Sequence, residues 1–328
     1  MILSQKMKPP YNVSNQILEL ISSISEKLGE IKLARLSKPP TMLRKENRIK
    51  SIQSSLEIEG NTLTVEQITD LLNNKRVIAP QKDILEVKNA IRVYASLNKF
   101  KVHSLQSFCD THKLLMNGLI NNAGVFRTSS VGILHGNKVA HVAPAGEMVY
   151  PLMRNLFDYL KNDDAPALIK SCVFHYEMEF IHPFTDGNGR MGRLWQTLIL
   201  KNFAPVFEFL PIEILIKQRQ QEYYDALSKS DKSGSSTAFI EFMLSVIDQS
   251  LENLLSIQNI NFDKNKRMEF FRDIIGEKSF SRQDYLRHNK EISPATASRD
   301  LRDAVENGIL EKSGDKRLTK YRFLKKEK

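Results

Sequence analysis

PALIKSCVFHYEMEFIHPFTDGNGRMGRLWQTLIL, residues 166–200, decides how this chain is to be read. Leu168, Ile169, Cys172, Val173, Tyr176 and Phe180 recur at helical spacing and predict a central helix with an apolar stripe. Pro166 suits its first turn, with Asp164 or Ala165 just outside. The helix stops at His182-Pro183, because the residue before a proline is pushed away from helical angles. A second stripe follows at once: Met191, Leu194, Trp195, Leu198 and Ile199. Between the stripes, Gly187, Asn188 and Gly189 fall at the N-terminus of a helix. Free N–H groups and the positive dipole end there hold phosphates, and glycine lets the backbone approach them closely. Arg190 and Arg193 are expected on one side, away from the apolar stripe, where two guanidiniums suit a polyphosphate. Asp186 is a hard oxygen donor placed for Mg²⁺ bridging phosphates. His182 is the one group there able to take a proton near neutral pH. Each element alone is as readily a turn or a structural histidine, but their occurrence together and in order points to a site. The stretch lacks the GxxxxGK[ST] pattern of a P-loop.

The rest of the chain sets bounds. Its 328 residues, 41% hydrophobic and 26% charged, are long enough for two or three folded domains. Cys109 and Cys172 have no metal-ligand spacing, so neither a disulfide framework nor a zinc site is expected. The opening MILSQKMKPPYNVS lacks a signal-peptide core, and no run of about 18 apolar residues spans a membrane. A cytoplasmic protein is the expectation. Of the net charge of +10, +7 falls in residues 264–328, which hints at a polyanion partner for that module alone.

Most of the chain reads as helix, including Ile17, Leu18, Ile21, Ile24 and Leu28 in a first segment that LSKPP breaks at Pro40. Thr64 and Gln67 form a capping box opening another helix. The exception is SVGILHGNKVAHVAPAGEMVYP, residues 130–151, where β-branched residues flank a hairpin turn at Gly136-Asn137. A lone hairpin has no core of its own and must lie against something, as a lid over a site or as a surface excursion. KSDKSGSSTAF near residue 233 is a polar loop and NINFDKNKR from 259 a linker.

HPFTDGNGRMGR resembles the Fic-family motif HxFx(D/E)GNGRxxR at every specified position. The resemblance implies a mainly α fold, with a Fic-type helical domain over about 41–255 and a β-hairpin flap at about 130–151. It implies transfer of AMP from ATP to a Ser, Thr or Tyr hydroxyl of a target protein, with self-modification open by the same route. By that resemblance His182 is the base, Phe184 anchors the loop, and Asp186 holds Mg²⁺. By the same resemblance Glu59, His182, Gly187, Asn188, Gly189, Arg190, Met191, Gly192 and Arg193 bind ATP, with Gly187–Gly189 cradling the phosphates and Arg190 and Arg193 on the β- and γ-phosphates. Tyr224 in QRQQEYYDAL lies at the adenine pocket, while Tyr223 or Tyr224 equally suits core packing. The flap aligns the target by strand-like pairing. Gly187 and Gly189 favour AMP transfer over phosphoryl transfer, with choline-phosphate transfer a rare use of the fold.

RIKSIQSSLEIEGNTLT carries a second signal. Ile49, Ile52 and Leu56 trace a helical face whose next position is Glu59, with Gly60 as C-cap. A carboxylate there is unfavourable unless a cation meets it or the helix end frays into water. Ser55, Glu59 and Gly60 also fit the Fic inhibitory pattern (S/T)xxxE(G/N), in an inhibitory helix at about 45–60. That likeness implies that Glu59 pairs with Arg193, denies it to the γ-phosphate and leaves the protein largely self-inhibited. Sequence leaves open whether Glu59 instead directs water to remove AMP.

Residues 265–328 read as three helices, the third opened by Ser293 and Pro294, and two short strands, and resemble a winged helix-turn-helix. Thr296, Ser298, Arg299 and Arg302 are candidates for a major groove, with Lys316, Arg317 and Lys320 on the wing. Asp300, Asp303 and Glu306 dilute that face, and DNA and protein binding both stay open. The chain also reads as a DNA-binding regulator with an ATP-sensing Fic domain; the base at His182 argues for the enzyme. Residues 1–40 are a helical segment expected beside the inhibitory helix, and a homodimer is an expectation by analogy.

Overall fold

The computed structural model describes residues 8–33, 41–135, 138–259, 264–276, 278–289, 292–315 and 319–324. The chain divides into two compact units, Met1–Leu255 and Ser256–Lys328. The first contains α1 (Asn15–Leu33), α2 (Thr41–Ile58), α3 (Val65–Leu72), α4 (Gln81–Ala95) and α5 (Leu105–Leu115). A hairpin of β1 (Gly132–His135) and β2 (Lys138–Val142) follows, then α6 (Gly146–Asn162), α7 (Ala167–Ile181) and α8 (Asn188–Phe203). It closes with α9 (Ile212–Gln218), α10 (Gln220–Ser233) and α11 (Thr237–Asn259), the last running past the unit boundary. The fold is mainly α.

The pair α7 and α8 forms the centre, because neither helix keeps a wet side. On α7 the polar Ser171 and His175 are as buried as Val173 and Phe174. An amphipathic stripe was the expectation; a helix enclosed on all sides is the finding. Between the two helices Phe184, Phe108, Phe174, Phe157 and Trp195 interlock, with Phe108 edge-on to Trp195 at 5.0 Å and stacked on Phe184 at 5.5 Å. Each such ring contributes about 1.5–3 kcal/mol by burial alone. Trp195 satisfies its indole N–H on the Val102 carbonyl at 3.0 Å, as a buried donor must. The loop between α7 and α8 is thus bolted to the core through Phe184.

Local signals set the boundaries. Thr64 Oγ1 accepts from Gln67 N, and Gln67 Oε1 from Thr64 N, which starts α3 as the capping box predicts. Helix α7 begins at Ala167, one residue later than expected: Pro166 takes an extended ψ of 144° and flanks the helix instead of entering it. The hairpin is antiparallel, with Gly132 opposite Val142 and His135 opposite Lys138, and a register shift between Ile133 and Leu134. Its tip, Gly136-Asn137, lies outside the described residues. Residues 146–151, expected within the hairpin, belong to α6, because Pro144 and Ala145 end the extended run. The polar contacts of α1 go to α11 (Ser23 Oγ donates to Asp248 Oδ1 at 2.7 Å, and Lys27 pairs with the same carboxylate at 2.9 Å). Among the described residues they do not reach the α2 end that carries Glu59.

The second unit holds α12 (Lys264–Ile275), α13 (Arg282–His288), α14 (Pro294–Glu306) and an antiparallel pair, β3 (Leu310–Ser313) with β4 (Lys320–Phe323). Phe271, Phe280, Tyr285, Leu301 and Phe323 form its own core. Ser281 and Ser293 cap α13 and α14. Asp300, expected on the outer face of α14, is buried instead. Its carboxylate accepts from Arg267 Nε and Nη2 at 2.9 and 3.0 Å and from the Tyr285 hydroxyl at 3.2 Å. It therefore takes nothing from the outer charge, where Arg299 and Arg302 are exposed. Lys316 and Arg317 lie outside the described residues, while Lys320 is exposed at the start of β4.

Candidate active site

Helix α7 ends on His182, whose φ of 50° and ψ of 61° are left-handed, a conformation costing a non-glycine residue about 1–2 kcal/mol. The chain then turns through Pro183 and Phe184 to Gly187, also left-handed at φ 83°, which flanks the first turn of α8. Asn188 holds this turn closed, since its Oδ1 accepts from Phe184 N at 2.9 Å and its Nδ2 donates to Phe184 O at 2.8 Å. The first N–H groups of α8 have no partner within the helix, as at any helix start, and this is where the sequence reading expects a phosphate to be held. The glycines at 187, 189 and 192 match the spacing of a dinucleotide fingerprint, yet this loop follows a helix and not a strand, so that reading fails.

A buried histidine stiffens this turn from behind. His112 on α5 lies flat against Phe184, rings 3.5 Å apart and 4° from parallel. Gly124 N donates to its Nδ1 at 2.8 Å, which leaves the proton on Nε2 to donate to the Asp186 carbonyl at 2.9 Å. Burial pulls its pKa down to about 4, so it stays neutral in this tautomer near pH 7.

The two arginines are buried, 5% and 2% exposed, not on an outward face. Helix α8 is enclosed, so its polar side meets polar partners instead of water. Arg190 is held between Glu86 Oε1 at 3.1 Å and Asp186 Oδ1 at 2.9 Å. Glu86 in turn accepts from Asn61 Nδ2 at 2.8 Å. Arg193 donates from Nε to Ser55 Oγ at 3.1 Å, and from Nη2 to the Ser55 carbonyl at 2.9 Å and Glu59 Oε1 at 2.7 Å. Burial alone would lower the pKa of Arg193, but Glu59, together with Tyr223 and Glu179, more than offsets it and the net shift is upward. Helix α2 stops at Ile58, and Glu59 and Gly60 form the turn beyond it, with Gly60 at φ 89°. Glu59 is therefore neither a helix-face residue nor free in solvent. It reaches so far over α8 that a Cβ on Gly189 would collide with its Oε1.

The Asp186 side chain is 45% exposed, and its contacts from Gly187 N and Arg190 both fall on Oδ1. One hard, accessible oxygen beside the start of α8 fits the donor chemistry of Mg²⁺, whose remaining ligands would come from phosphate and water. Among the described residues no group of three or more His, Cys, Asp or Glu is arranged to hold a metal by protein alone. Behind Arg193, Glu179 on α7 lies 3.8 Å from His175 Nε2 and accepts from the Tyr223 hydroxyl at 3.5 Å. Burial raises its pKa to about 7; Arg193 pulls that value down and Glu59 pushes it up. Tyr223 is core, while the half-buried Tyr224 accepts from Gln220 Nε2 at 3.2 Å, and that amide also donates to the Ile58 carbonyl at 3.3 Å. Tyr224 thus sits beside the end of α2.

The structure brings Ser55, Glu59, Gly189 and Arg193 into one cluster and Asp186, Gly187 and Arg190 into its neighbour. Sequence reading missed Glu86, His112, Arg127 and Glu179. Glu86 and Asn89 sit at inward spacing with Val93 on α4, a signal that was there to find.

A family model described as Fic/DOC family matches residues 102–200. The crystal structure of a Fic family protein from Desulfovibrio desulfuricans is 36% identical, with a TM-score of 0.77, covering 98% of this chain and 100% of that one. Fic-1 of Caenorhabditis elegans shares the fold at 20% identity, with a TM-score of 0.59 over 74% of this chain and 73% of that structure. Protein adenylyltransferase Fic of Nematostella vectensis is 27% identical over 261 residues, 76% of this chain and 58% of the relative. Protein adenylyltransferase fic-1 of Caenorhabditis briggsae is 30% identical over 219 residues, 62% and 40% respectively. The chain spans about half the length of these curated relatives. With an end-to-end match to a solved family member and every specified motif position present, the chain belongs to the Fic family.

Proposed function

We propose that the chain is a protein adenylyltransferase that moves AMP from ATP to hydroxyl side chains of target proteins and is held back by Glu59. The observation that carries this reading is the arrangement at α8: a left-handed His182, a glycine turn at Gly187–Gly189 opening the helix, and Arg193 occupied by Glu59 at 2.7 Å. The target oxygen attacks the α-phosphorus as its proton passes to His182. The bond from that phosphorus to the bridging oxygen breaks, and pyrophosphate leaves. Asp186 would hold Mg²⁺, which would supply neutralisation of the phosphate charge. The N–H groups at the start of α8 and Arg190 hold the phosphates, and Arg193 takes the γ-phosphate once Glu59 releases it. Tyr224, beside Ile58, takes the adenine. Ser55 and Gly60 set the turn that presents Glu59.

The winged-helix reading of the second unit, and a DNA role for it, belong to the same proposal. Exposed Arg299, Arg302 and Lys320 support it. A gel shift on duplex DNA that weakens steeply with salt is the expected behaviour, and a shift indifferent to salt counts against it.

The central test uses ATP labelled on the α-phosphate with wild type, Glu59→Gly, and Glu59→Gly with His182→Ala. Covalent label on the Glu59→Gly protein or an added lysate, weak in wild type and absent from the double variant, is expected. An unlabelled Glu59→Gly protein that still binds ATP sinks the transferase reading, and label from the γ-phosphate would reassign it to phosphoryl transfer.

A further inference from the structure

Arg127, between α5 and the hairpin, is 2% exposed, and its described hydrogen bonds all run to main-chain oxygens. Nε donates to the His182 carbonyl at 2.7 Å, and Nη2 to the Ile181 carbonyl at 2.9 Å. Nη1 donates to the Ser129 carbonyl at 2.6 Å, and Nη2 also to the Pro144 carbonyl at 2.8 Å. The main-chain N–H of the same residue donates to the Pro183 carbonyl at 2.9 Å. Among the described residues no carboxylate pairs with it.

A buried charge is costly, and a residue of similar volume with no charge would fill the space more cheaply. What the guanidinium does here is grip. Residue 127 takes the carbonyls of 181, 182 and 183, the three peptide groups where α7 ends and the chain reverses. Those oxygens carry the negative end of the helix dipole, which favours a cation. They also flank the left-handed His182, whose strain persists only where surroundings over-determine it. The other two carbonyls, Ser129 and Pro144, stand at the two feet of the hairpin, and Ala143 N closes that base on the Val131 carbonyl at 3.2 Å. One side chain therefore joins the main chain of His182 to both feet of the hairpin.

We propose that Arg127 is a positioning residue for the transfer reaction. It fixes the His182 main chain in its left-handed conformation and keeps the imidazole in register with the hairpin that presents the target hydroxyl. This rests on His182 being the base and the hairpin the target platform. None of the described hydrogen bonds of Arg127 reaches residues 187–193, so ATP affinity is not its concern. It acts on the chemical step and on target alignment.

The test compares Arg127→Met and Arg127→Lys in the full chain carrying Glu59→Gly. Three quantities are measured: ATP affinity with Mg²⁺, label transfer from α-labelled ATP, and the His182 imidazole resonance across pH, assigned with His182→Ala. The expectation is unchanged ATP affinity, a loss of transfer of about 100-fold in Arg127→Met, as misplacing a catalytic group by about 1 Å produces, and a displaced His182 resonance. Arg127→Lys, keeping the charge but reaching fewer carbonyls, is expected to recover part of both signals while the His112 and His175 resonances stay in place. The proposal is overturned if transfer and the His182 resonance are unchanged, or if ATP affinity falls as far as transfer does. Should Arg127→Met fail to fold, the same readings on Arg127→Lys decide. If the Glu59→Gly parent carries no label, the transferase reading fails on its own, and the His182 resonance still decides whether Arg127 positions it.

Discussion

Replacing Glu59 with alanine should weaken the folded chain and at the same time sharpen its response to ATP. The Arg193 side chain is 1% exposed and the Glu59 side chain 34%. Breaking a fully buried pair costs about 3–5 kcal/mol, because a charge is left stranded. Here the loss is smaller. Ser55 still accepts from Arg193 through its hydroxyl and its carbonyl, and water can enter along the exposed side of the Glu59 position. About 1–2 kcal/mol remains, given that a half-open pair is discounted for solvent screening. For a unit of this size that lowers the melting temperature by about 2–8 °C. Trp195, the chain's single tryptophan, is buried in the first unit, so its fluorescence follows that unit without interference from the second. ATP with Mg²⁺ then supplies Arg193 with the partner it lost. At a ligand concentration of about 100 times Kd, binding stabilises by about 2.7 kcal/mol, and this gain should appear in Glu59→Ala at ATP concentrations where wild type barely shifts. Equal melting temperatures without ATP would refute the contribution of the pair. Equal ATP-induced shifts would refute the competition between Glu59 and phosphate.

Three other outcomes follow from single contacts. Gly187→Ala forces a side chain onto a φ of 83° and into Met116 Sδ at 2.7 Å and His112 Nε2 at 3.3 Å, so ATP binding should be lost along with at least about 1–2 kcal/mol of stability, read by titration and melting; a Gly187→Ala protein that binds ATP normally would show the cradle is not where it is placed. Glu179 has its pKa raised by burial from 4.5 to about 7, so the folded chain holds this proton more tightly than the unfolded chain, and the associated stability is full below about pH 4.5 and lost as pH rises through about 7. Glu179→Gln should accordingly leave stability at pH 4.5 unchanged and raise it at pH 8 by about 1–3 kcal/mol, whereas a gain of the same size at both pH values would refute the titration. Asp300→Asn removes the carboxylate that meets Arg267 and Tyr285 in the second unit; hydrogen exchange across α13 and α14 should accelerate by an amount matching about 3–5 kcal/mol while α7 and α8 stay protected, and unchanged exchange would mean the pair contributes nothing.

The turn between α7 and α8 was legible in the sequence because all its parts are local. A helix stopped by His182-Pro183, a turn of Gly-Asn-Gly and a restarted apolar stripe are read within one short stretch, and the structure keeps that order. The resemblance supplied Glu59 opposite Arg193, which spacing alone left undecided between a solvated helix end and a paired one. What escaped were contacts whose partner is a main-chain carbonyl or a distant element. Arg127 reaches residues 181 and 182 through oxygens that every residue has, so no side-chain pattern announces it. His112 likewise spends its Nε2 proton on the Asp186 carbonyl. Arg190 and Arg193 share the side away from the apolar stripe, but the sequence does not say that this side is covered and not wet. On α8 it faces Glu86, Ser55 and Glu59. Asp300 escaped for the same reason in the second unit.

The two motif arginines are not equivalent in the ligand-free chain, and the difference lies in their acids. Arg190 is gripped by Glu86, itself 7% exposed and tied by Asn61. Displacing that carboxylate would strand a buried charge, so on the proposed function a phosphate would have to join Arg190 without evicting Glu86. Arg193 is held by an acid on a turn past the end of α2, a third exposed and able to leave into water. Its desolvation cost on release is therefore the smaller one, and it is the arginine whose partner can change. Asn61 connects the two cases. It follows Gly60 directly and bonds Glu86, so the turn that carries Glu59 is anchored at its far side to the fixed pair. If Glu59 is to leave Arg193 while Asn61 stays, the left-handed Gly60 between them, at φ 89°, is the residue suited to absorb that rotation without strain.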